Sequence, residues 1–168
     1  MRIREVTAGA LAALWLVLPS PAEARDGSLL ALGFGAYNVL QTAREAEFRL
    51  EYRSALTLAR FFRPILGMFA TDRGSFLGYA GLRIDVPVGE HVVLTPEAAV
   101  GYWRTGGGKD LGSPLEFKTG GEIAWRFAND ARLGLAFDHI SNGGLRRRNP
   151  GAESVVLVYS LPLGFSEF

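Results

Sequence analysis

Leu115-Glu116-Phe117-Lys118-Thr119-Gly120-Gly121-Glu122-Ile123-Ala124-Trp125-Arg126-Phe127 alternates between two chemistries. Leu115, Phe117, Thr119, Gly121, Ile123, Trp125 and Phe127 fall on one face of an extended chain. Glu116, Lys118, Gly120, Glu122, Ala124 and Arg126 fall on the other. Successive side chains of a strand point to opposite faces, so the stretch reads as a β-strand with one apolar and one charged side. The pattern recurs at Phe48, Leu50 and Tyr52, which oppose Glu47, Arg49, Glu51 and Arg53. It recurs again from Phe76 to Val88, where Leu82, Ile84 and Val86 oppose Arg83 and Asp85.

Eight such segments are expected, near residues 29–40, 46–55, 58–70, 76–88, 92–104, 114–127, 131–142 and 152–163. Between them lie turn-forming runs: Thr71-Asp72-Arg73-Gly74, Val88-Gly89-Glu90-His91, Gly106-Gly107-Gly108-Lys109-Asp110 and Ala128-Asn129-Asp130. An even number of two-faced antiparallel strands predicts an all-β fold, an eight-stranded transmembrane outer-membrane β-barrel. Closure leaves no unpaired edge, which is what permits strands in hydrocarbon. The charged faces would pair with one another in a narrow lumen, and the apolar faces would meet lipid. Alternation alone leaves a second solution, a soluble lipocalin-like barrel with the faces exchanged. Three features favour the membrane. Tyr102, Trp103, Trp125 and Phe127 lie toward strand ends, as interfacial girdles do; the strand charges are mixed in sign; and the last residue is the aromatic Phe168.

The first 24 residues read as a signal peptide. Arg2 and Arg4 precede an apolar run from Ala8 to Leu18, followed by Pro19, Pro21 and Ala22-Glu23-Ala24, an A-x-A cleavage pattern. The apolar run is too short to span a bilayer as a helix, and no uninterrupted apolar run of transmembrane length follows it. Residues 25–168 are then the barrel domain. A net charge of +1 argues against nucleic acid as a partner. With no cysteine and two histidines, a disulfide framework, a thiol nucleophile and a Cys- or His-rich metal centre are all disfavoured, and neither metal nor cofactor is expected.

The chemistry is concentrated between Phe137 and Ser154. His139, Ser141 and Glu153 supply the three residue types that serine acyl transfer needs: a base, a hydroxyl and a carboxylate. His139 and Ser141 are two apart and share a strand face that continues back through Phe137, Leu135 and Leu133. Glu153 shares a face with Val155, Leu157, Tyr159 and Leu161. In a hairpin of the last two strands Glu153 lies near His139. All three would sit at the end of an apolar face, and in a membrane barrel that face is the outside. With both termini periplasmic, the site would open sideways at the depth of the outer leaflet.

His139-x-Ser141-Asn142, then Asn149, then Glu153, resembles the bacterial lipid A 3-O-deacylases of the PagL type. The motif covers about 15 residues; the strand pattern and leader agree over the rest. The resemblance implies Ser141 as nucleophile, His139 as general base and Glu153 as the orienting carboxylate. It implies an oxyanion hole from Asn142 with the N–H groups of Gly143 or Gly144, supported by Asn149. The implied reaction is hydrolysis of the ester at position 3 of lipid A, releasing a 3-hydroxy fatty acid without a metal. The implied partners are lipopolysaccharide and outer-membrane lipids; whether a homodimer forms is left open.

Arg146-Arg147-Arg148 is denser in charge than the motif requires. It reads either as a solvated loop tip or as a contact for lipid A phosphates. His91 reads as a strand-end residue, and Asp138 as a lumen residue on the face that also carries Arg132. Gly106-Gly107-Gly108-Lys109 fails the phosphate-loop spacing and reads as a loop. Three other functions remain compatible with the residues: an outer-membrane phospholipase on the same site, a non-enzymatic structural barrel, and a soluble lipid carrier.

Overall fold

The computed structural model describes residues 27–164. The leader expected over residues 1–24 and the terminal Phe168 lie outside the described residues. Nine strand elements follow in order: β1 (Leu29–Tyr37), β2 (Glu45–Arg53), β3 (Arg63–Thr71), β4 (Phe76–Arg83), β5 (Val86–Val88), β6 (Val92–Arg104), β7 (Leu115–Arg126), β8 (Arg132–Ser141) and β9 (Ala152–Pro162). Sequence neighbours pair antiparallel except β4 and β5, which both pair with β6, and β1 also pairs with β9. The sheet therefore closes. β4 and β5 are two parts of one stave, interrupted at Ile84 and Asp85, so the closed cylinder has eight staves.

The alternation has the sense expected for a membrane. Along β2 and β8 every second residue is buried, and the buried rows carry the charges: Glu45, Glu47, Glu51 and Arg53 on β2, Arg132 and Asp138 on β8. The opposite rows are open. Phe48, Leu66, Ile123, Leu135, Phe137 and Leu157 are each about half exposed or more. A continuous apolar exterior of this extent is incompatible with water and matched to lipid.

Inside, acids and bases neutralise one another at short range. Arg53 pairs with Glu51 at 2.7 Å and Glu122 at 2.6 Å, and Tyr79 donates to Glu51 at 2.7 Å. Lys118 pairs with Glu97 and Asp138. These charges are bearable in the lumen because their partners are there; removing one partner of such a pair costs about 3–5 kcal/mol.

Three details depart from the sequence reading. Trp103 is not a girdle residue: it is buried against Tyr37 and Phe69, ring centroids 5.5 and 6.0 Å away. It follows Tyr102, which takes the outward position, so alternation turns Trp103 inward. The third strand begins at Arg63, because Leu58 and Phe62 close a tight turn in which Ala59 and Arg60 have positive φ. As expected, Asp138 and Arg132 share the lumen face and each pairs there; the partners of Asp138 are Arg49 and Lys118, while Arg132 pairs with Asp85 at 3.2 Å. Six residues of extended β8, about 20 Å, separate Asp138 from Arg132. The first strand stops at Tyr37, where Asn38 adopts a φ of 59° and turns the chain. His91 stacks on Trp125 with centroids 4.7 Å apart, a packing role at a strand end.

Candidate active site

The termini of the barrel share one end. The connections at the other end are residues 38–44, 72–75, 105–114 and 142–151. The last rungs of the β8–β9 ladder at that end are Asp138↔Ser154, His139↔Glu153 and Ile140↔Ala152. His139 and Glu153 are thus direct cross-strand partners. Their outward orientation follows from the alternation, since Asp138, Ile140, Ala152 and Ser154 are buried. His139 Nδ1 lies 3.1 Å from Glu153 Oε1, with the two side chains 45% and 20% exposed. The imidazole and carboxylate therefore meet on the lipid-facing wall.

Ser141 is the last residue of β8, one outward position beyond His139, and its cross-strand partner on β7 is Phe117. Two residues along a strand advance about 7 Å, which a serine and an imidazole leaning toward each other largely span. Ser141 Oγ makes no hydrogen bond to another described residue. Thr119, the partner of His139 on β7, stands on the same exterior row, flanking the imidazole opposite Glu153. Sequence reading placed Thr119 on this face but not beside the histidine; a hydroxyl interrupting an apolar row was the available signal.

The β8–β9 loop is shaped by glycine. Gly143 and Gly144 have φ of 62° and 80°, and Leu145 N–H donates to Asn142 O at 3.1 Å. Two consecutive positive φ values within a four-residue turn define type I′, which side-chain-bearing residues rarely sustain. Gly151, φ 57°, lies under the imidazole: a Cβ there would sit 2.8 Å from His139 Cε1.

Asn142 departs from its expected role. It is fully buried, and its amide donates to Leu111 O at 3.1 Å and Arg148 O at 2.8 Å. Its side-chain oxygen accepts from Gly144 N–H at 3.1 Å. A buried amide must satisfy these groups locally, so neither the Asn142 side chain nor the Gly144 N–H remains to hold an oxyanion. The Asn142 N–H is also used, donating to Asn149 Oδ1 at 3.0 Å. The Gly143 N–H and, further along the loop, Asn149 Nδ2 carry no hydrogen bond to another described residue.

The neighbouring loops close the barrel mouth. Leu111 of the β6–β7 loop is fully buried with Ile140 and Ala152. Lys109 Nζ donates to Asn38 Oδ1 at 3.0 Å, and Val39 N–H donates to Glu153 O at 3.0 Å. Burial pushes the Lys109 ammonium below its ordinary range while the nearby Glu153 carboxylate pulls it back up. Sequence reading assigned Lys109 only to a loop; nothing local in its context marked it. Of the three loop arginines, Arg148 pairs with Asp110 at 2.6 Å, whereas Arg146 and Arg147 are exposed with no ion pair among the described residues.

Comparison with known proteins bears on this arrangement. Residues 75–162 match the family model described as Lipid A 3-O-deacylase (PagL), which takes in β4 through β9 and the whole motif. The chain is 39% identical over 57 residues to "Lipid A deacylase PagL" of Pseudomonas aeruginosa. That alignment spans 34% of this chain and 33% of the relative, about a third of its length. Among solved structures, the outer membrane enzyme PagL superposes with a TM-score of 0.65 at 21% identity, covering 80% of this chain and 99% of the other. A de novo designed transmembrane β-barrel gives 0.61 at 10% identity, covering 81% and 94%. Neisserial surface protein A gives 0.56 at 12%, covering 81% and 96%. At these identities the structural likeness is one of fold.

Proposed function

The chain belongs to the lipid A 3-O-deacylase (PagL) family, and on that footing we propose that it hydrolyses the ester at position 3 of lipid A in the outer membrane, releasing a 3-hydroxy fatty acid. The observation that carries this reading is the His139–Glu153 contact on the lipid-facing wall, one outward position from Ser141. An ionisable pair projecting from an otherwise apolar row is costly in a membrane protein unless it is used.

In this mechanism Glu153 accepts a hydrogen bond from the Nδ1–H of His139, which fixes the ring and its tautomer and leaves Nε2 as the base. Ser141 Oγ attacks the acyl carbonyl as its proton passes to Nε2. The tetrahedral oxyanion takes hydrogen bonds from the Gly143 N–H and Asn149 Nδ2, neither of which is bonded to another described residue. The intermediate collapses with transfer of the Nε2 proton to the departing sugar 3-oxygen, leaving an acyl-serine. Water, deprotonated by His139, then attacks the acyl-serine; the hydroxy acid leaves and Ser141 regains its proton.

The acyl chain lies down the barrel wall beneath the imidazole, against Leu135, Phe137, Val155 and Leu157. A shallow recess of about 510 Å³ is lined there by Leu94, Pro96, Gly121, Ile123, Leu135, Phe137 and Val155. Its partner rung Gly121↔Phe137 is directly below Thr119↔His139. Arg146 and Arg147 face outward, where they can meet the phosphates of the glycolipid.

The test is mass spectrometry of lipid A after incubation with the wild-type barrel and with Ser141→Ala. Release of the 3-hydroxy acyl chain by the wild type and its loss in the variant is the expected result. Undiminished release by a folded Ser141→Ala barrel would sink the assignment. Glycerophospholipid run in parallel separates this activity from that of a phospholipase.

A further inference from the structure

The His139–Glu153 pair occupies the second-to-last rung of the β8–β9 ladder. Strand ends open locally more readily than strand centres, so a site mounted there needs restraint from elsewhere. The adjacent rung, Asp138↔Ser154, points into the lumen, and both of its side chains are tied to β2. Asp138 Oδ2 pairs with Arg49 NH1 at 2.7 Å. Ser154 Oγ donates to Glu47 Oε2 at 2.5 Å. Arg49 donates to Glu47 Oε1 from Nε at 3.0 Å and from NH2 at 2.7 Å, which closes the circuit on β2. Lys118 on β7 holds the other Asp138 oxygen at 3.0 Å.

These five residues are between 0 and 5% exposed, so water does not compete for their partners. Glu47 and Arg49 bridge strands that are not neighbours, because β1 stands between β2 and β9. Glycine opens that path. A Cβ on Gly33 of β1 would lie 2.8 Å from Val156 Cγ1 and 3.0 Å from Arg49 Cβ. On its far side Arg49 rests over the Phe69 ring at 5.9 Å, which limits its freedom further.

We infer that Glu47 and Arg49 of β2, acting through Ser154 and Asp138, are positioning residues that hold the His139–Glu153 rung from the lumen side of the wall. The proposal rests on the catalytic reading of that pair. The residues never touch substrate: Ser154 and Asp138 precede or follow the reactive residues by one position, and the strand backbone carries the restraint from the lumen to the lipid face. Their substitution should disturb the imidazole–carboxylate contact and turnover while leaving substrate affinity alone.

The test uses the full barrel in detergent with ¹⁵N-labelled histidine; the chain has two histidines, so the His139 ring resonances are separable from those of His91. In Ser154→Ala and Arg49→Met the Nδ1 proton signal of His139 should broaden and exchange faster. Loss of registration on the scale of 1 Å costs up to about a hundredfold in rate, so kcat should fall roughly tenfold to a hundredfold with KM unchanged. Arg49→Lys, which keeps a cation opposite Asp138 and Glu47, should restore most of both. Folded variants with an unchanged Nδ1 signal overturn the proposal, whether kcat falls or not. Should Arg49→Met fail to fold, Ser154→Ala, which deletes one oxygen, decides the matter alone. The Nδ1 signal needs no substrate, so it reports on the clamp separately from Ser141→Ala, which reports on the esterase reading.

Discussion

Glu153 stands directly across the β8–β9 ladder from His139, with Oε1 3.1 Å from Nδ1, on the outer surface of a closed barrel. Fourteen positions apart in the chain, the two become neighbours because the intervening hairpin registers them. Removing either is expected to disable hydrolysis unequally. His139→Ala deletes the base and should lower kcat by about 10⁴-fold or more, whereas Glu153→Ala leaves a misdirected base and should cost about 10²- to 10⁴-fold. Single-turnover release of hydroxy acid, with folding verified by heat-modifiable gel mobility, measures both.

Asn149 and Asn142 are expected to fail in different ways. Asn149→Asp keeps the oxygen that accepts from Asn142 N–H but removes the unspent Nδ2 donor. Loss of one oxyanion donor costs about 10²- to 10³-fold in kcat, and a nearby negative charge will not lessen it. Asn142→Ala instead leaves the buried carbonyl of Leu111 and the partly buried one of Arg148 without their donor. The unsatisfied Leu111 carbonyl costs about 1–3 kcal/mol and should appear as a lower unfolding midpoint together with lost activity.

Gly151→Ala tests the space beneath the imidazole. A Cβ 2.8 Å from His139 Cε1 has to displace the ring, and a φ of 57° adds about 1–2 kcal/mol of backbone strain. We expect at least tenfold lower kcat in a barrel that still assembles. Full activity in this variant would show that the ring position is not critical.

The orientation of the wall has its own test. Leu135 is 52% exposed on β8, so Leu135→Arg places a cation in hydrocarbon and should cost about 2–4 kcal/mol in vesicles. Glu122→Ala removes a lumen partner of Arg53 and should cost about 3–5 kcal/mol. Denaturant unfolding of the barrel in phospholipid vesicles reads both; a neutral Leu135→Arg would contradict a lipid-facing β8.

Arg146→Ser combined with Arg147→Ser should raise KM for phosphorylated lipid A several-fold at low salt and leave kcat intact, because exposed guanidinia act by screened attraction to phosphate. The same double substitution should not alter KM for dephosphorylated lipid A. Arg148 is left out because its guanidinium is bound to Asp110 and its carbonyl to Asn142.

Two-residue alternation was enough to read most of the strands and the closed antiparallel barrel, and with the strand-end aromatics and mixed strand charges it also indicated the outward placement of His139, Ser141 and Glu153. Those properties follow from the period of the extended chain and from the rule that charges seek partners and apolar rows seek lipid. The motif spacing likewise pointed to the family, since β8, its loop and the start of β9 are contiguous in sequence. Loop contacts were not readable. The Asn142 side chain binds Leu111 from a loop 31 positions away, and only the folded barrel mouth brings that carbonyl to it. The clamp behind the site was hidden for the same reason. Ser154 and Glu47 are 107 positions apart, and their meeting depends on ring closure through β1 and on the missing side chain of Gly33. Local pattern decides which way each side chain points, because the peptide geometry of one strand suffices. Which buried polar groups satisfy one another is decided only by the closed structure, because low-dielectric pairing acts between atoms that distant parts of the chain bring together.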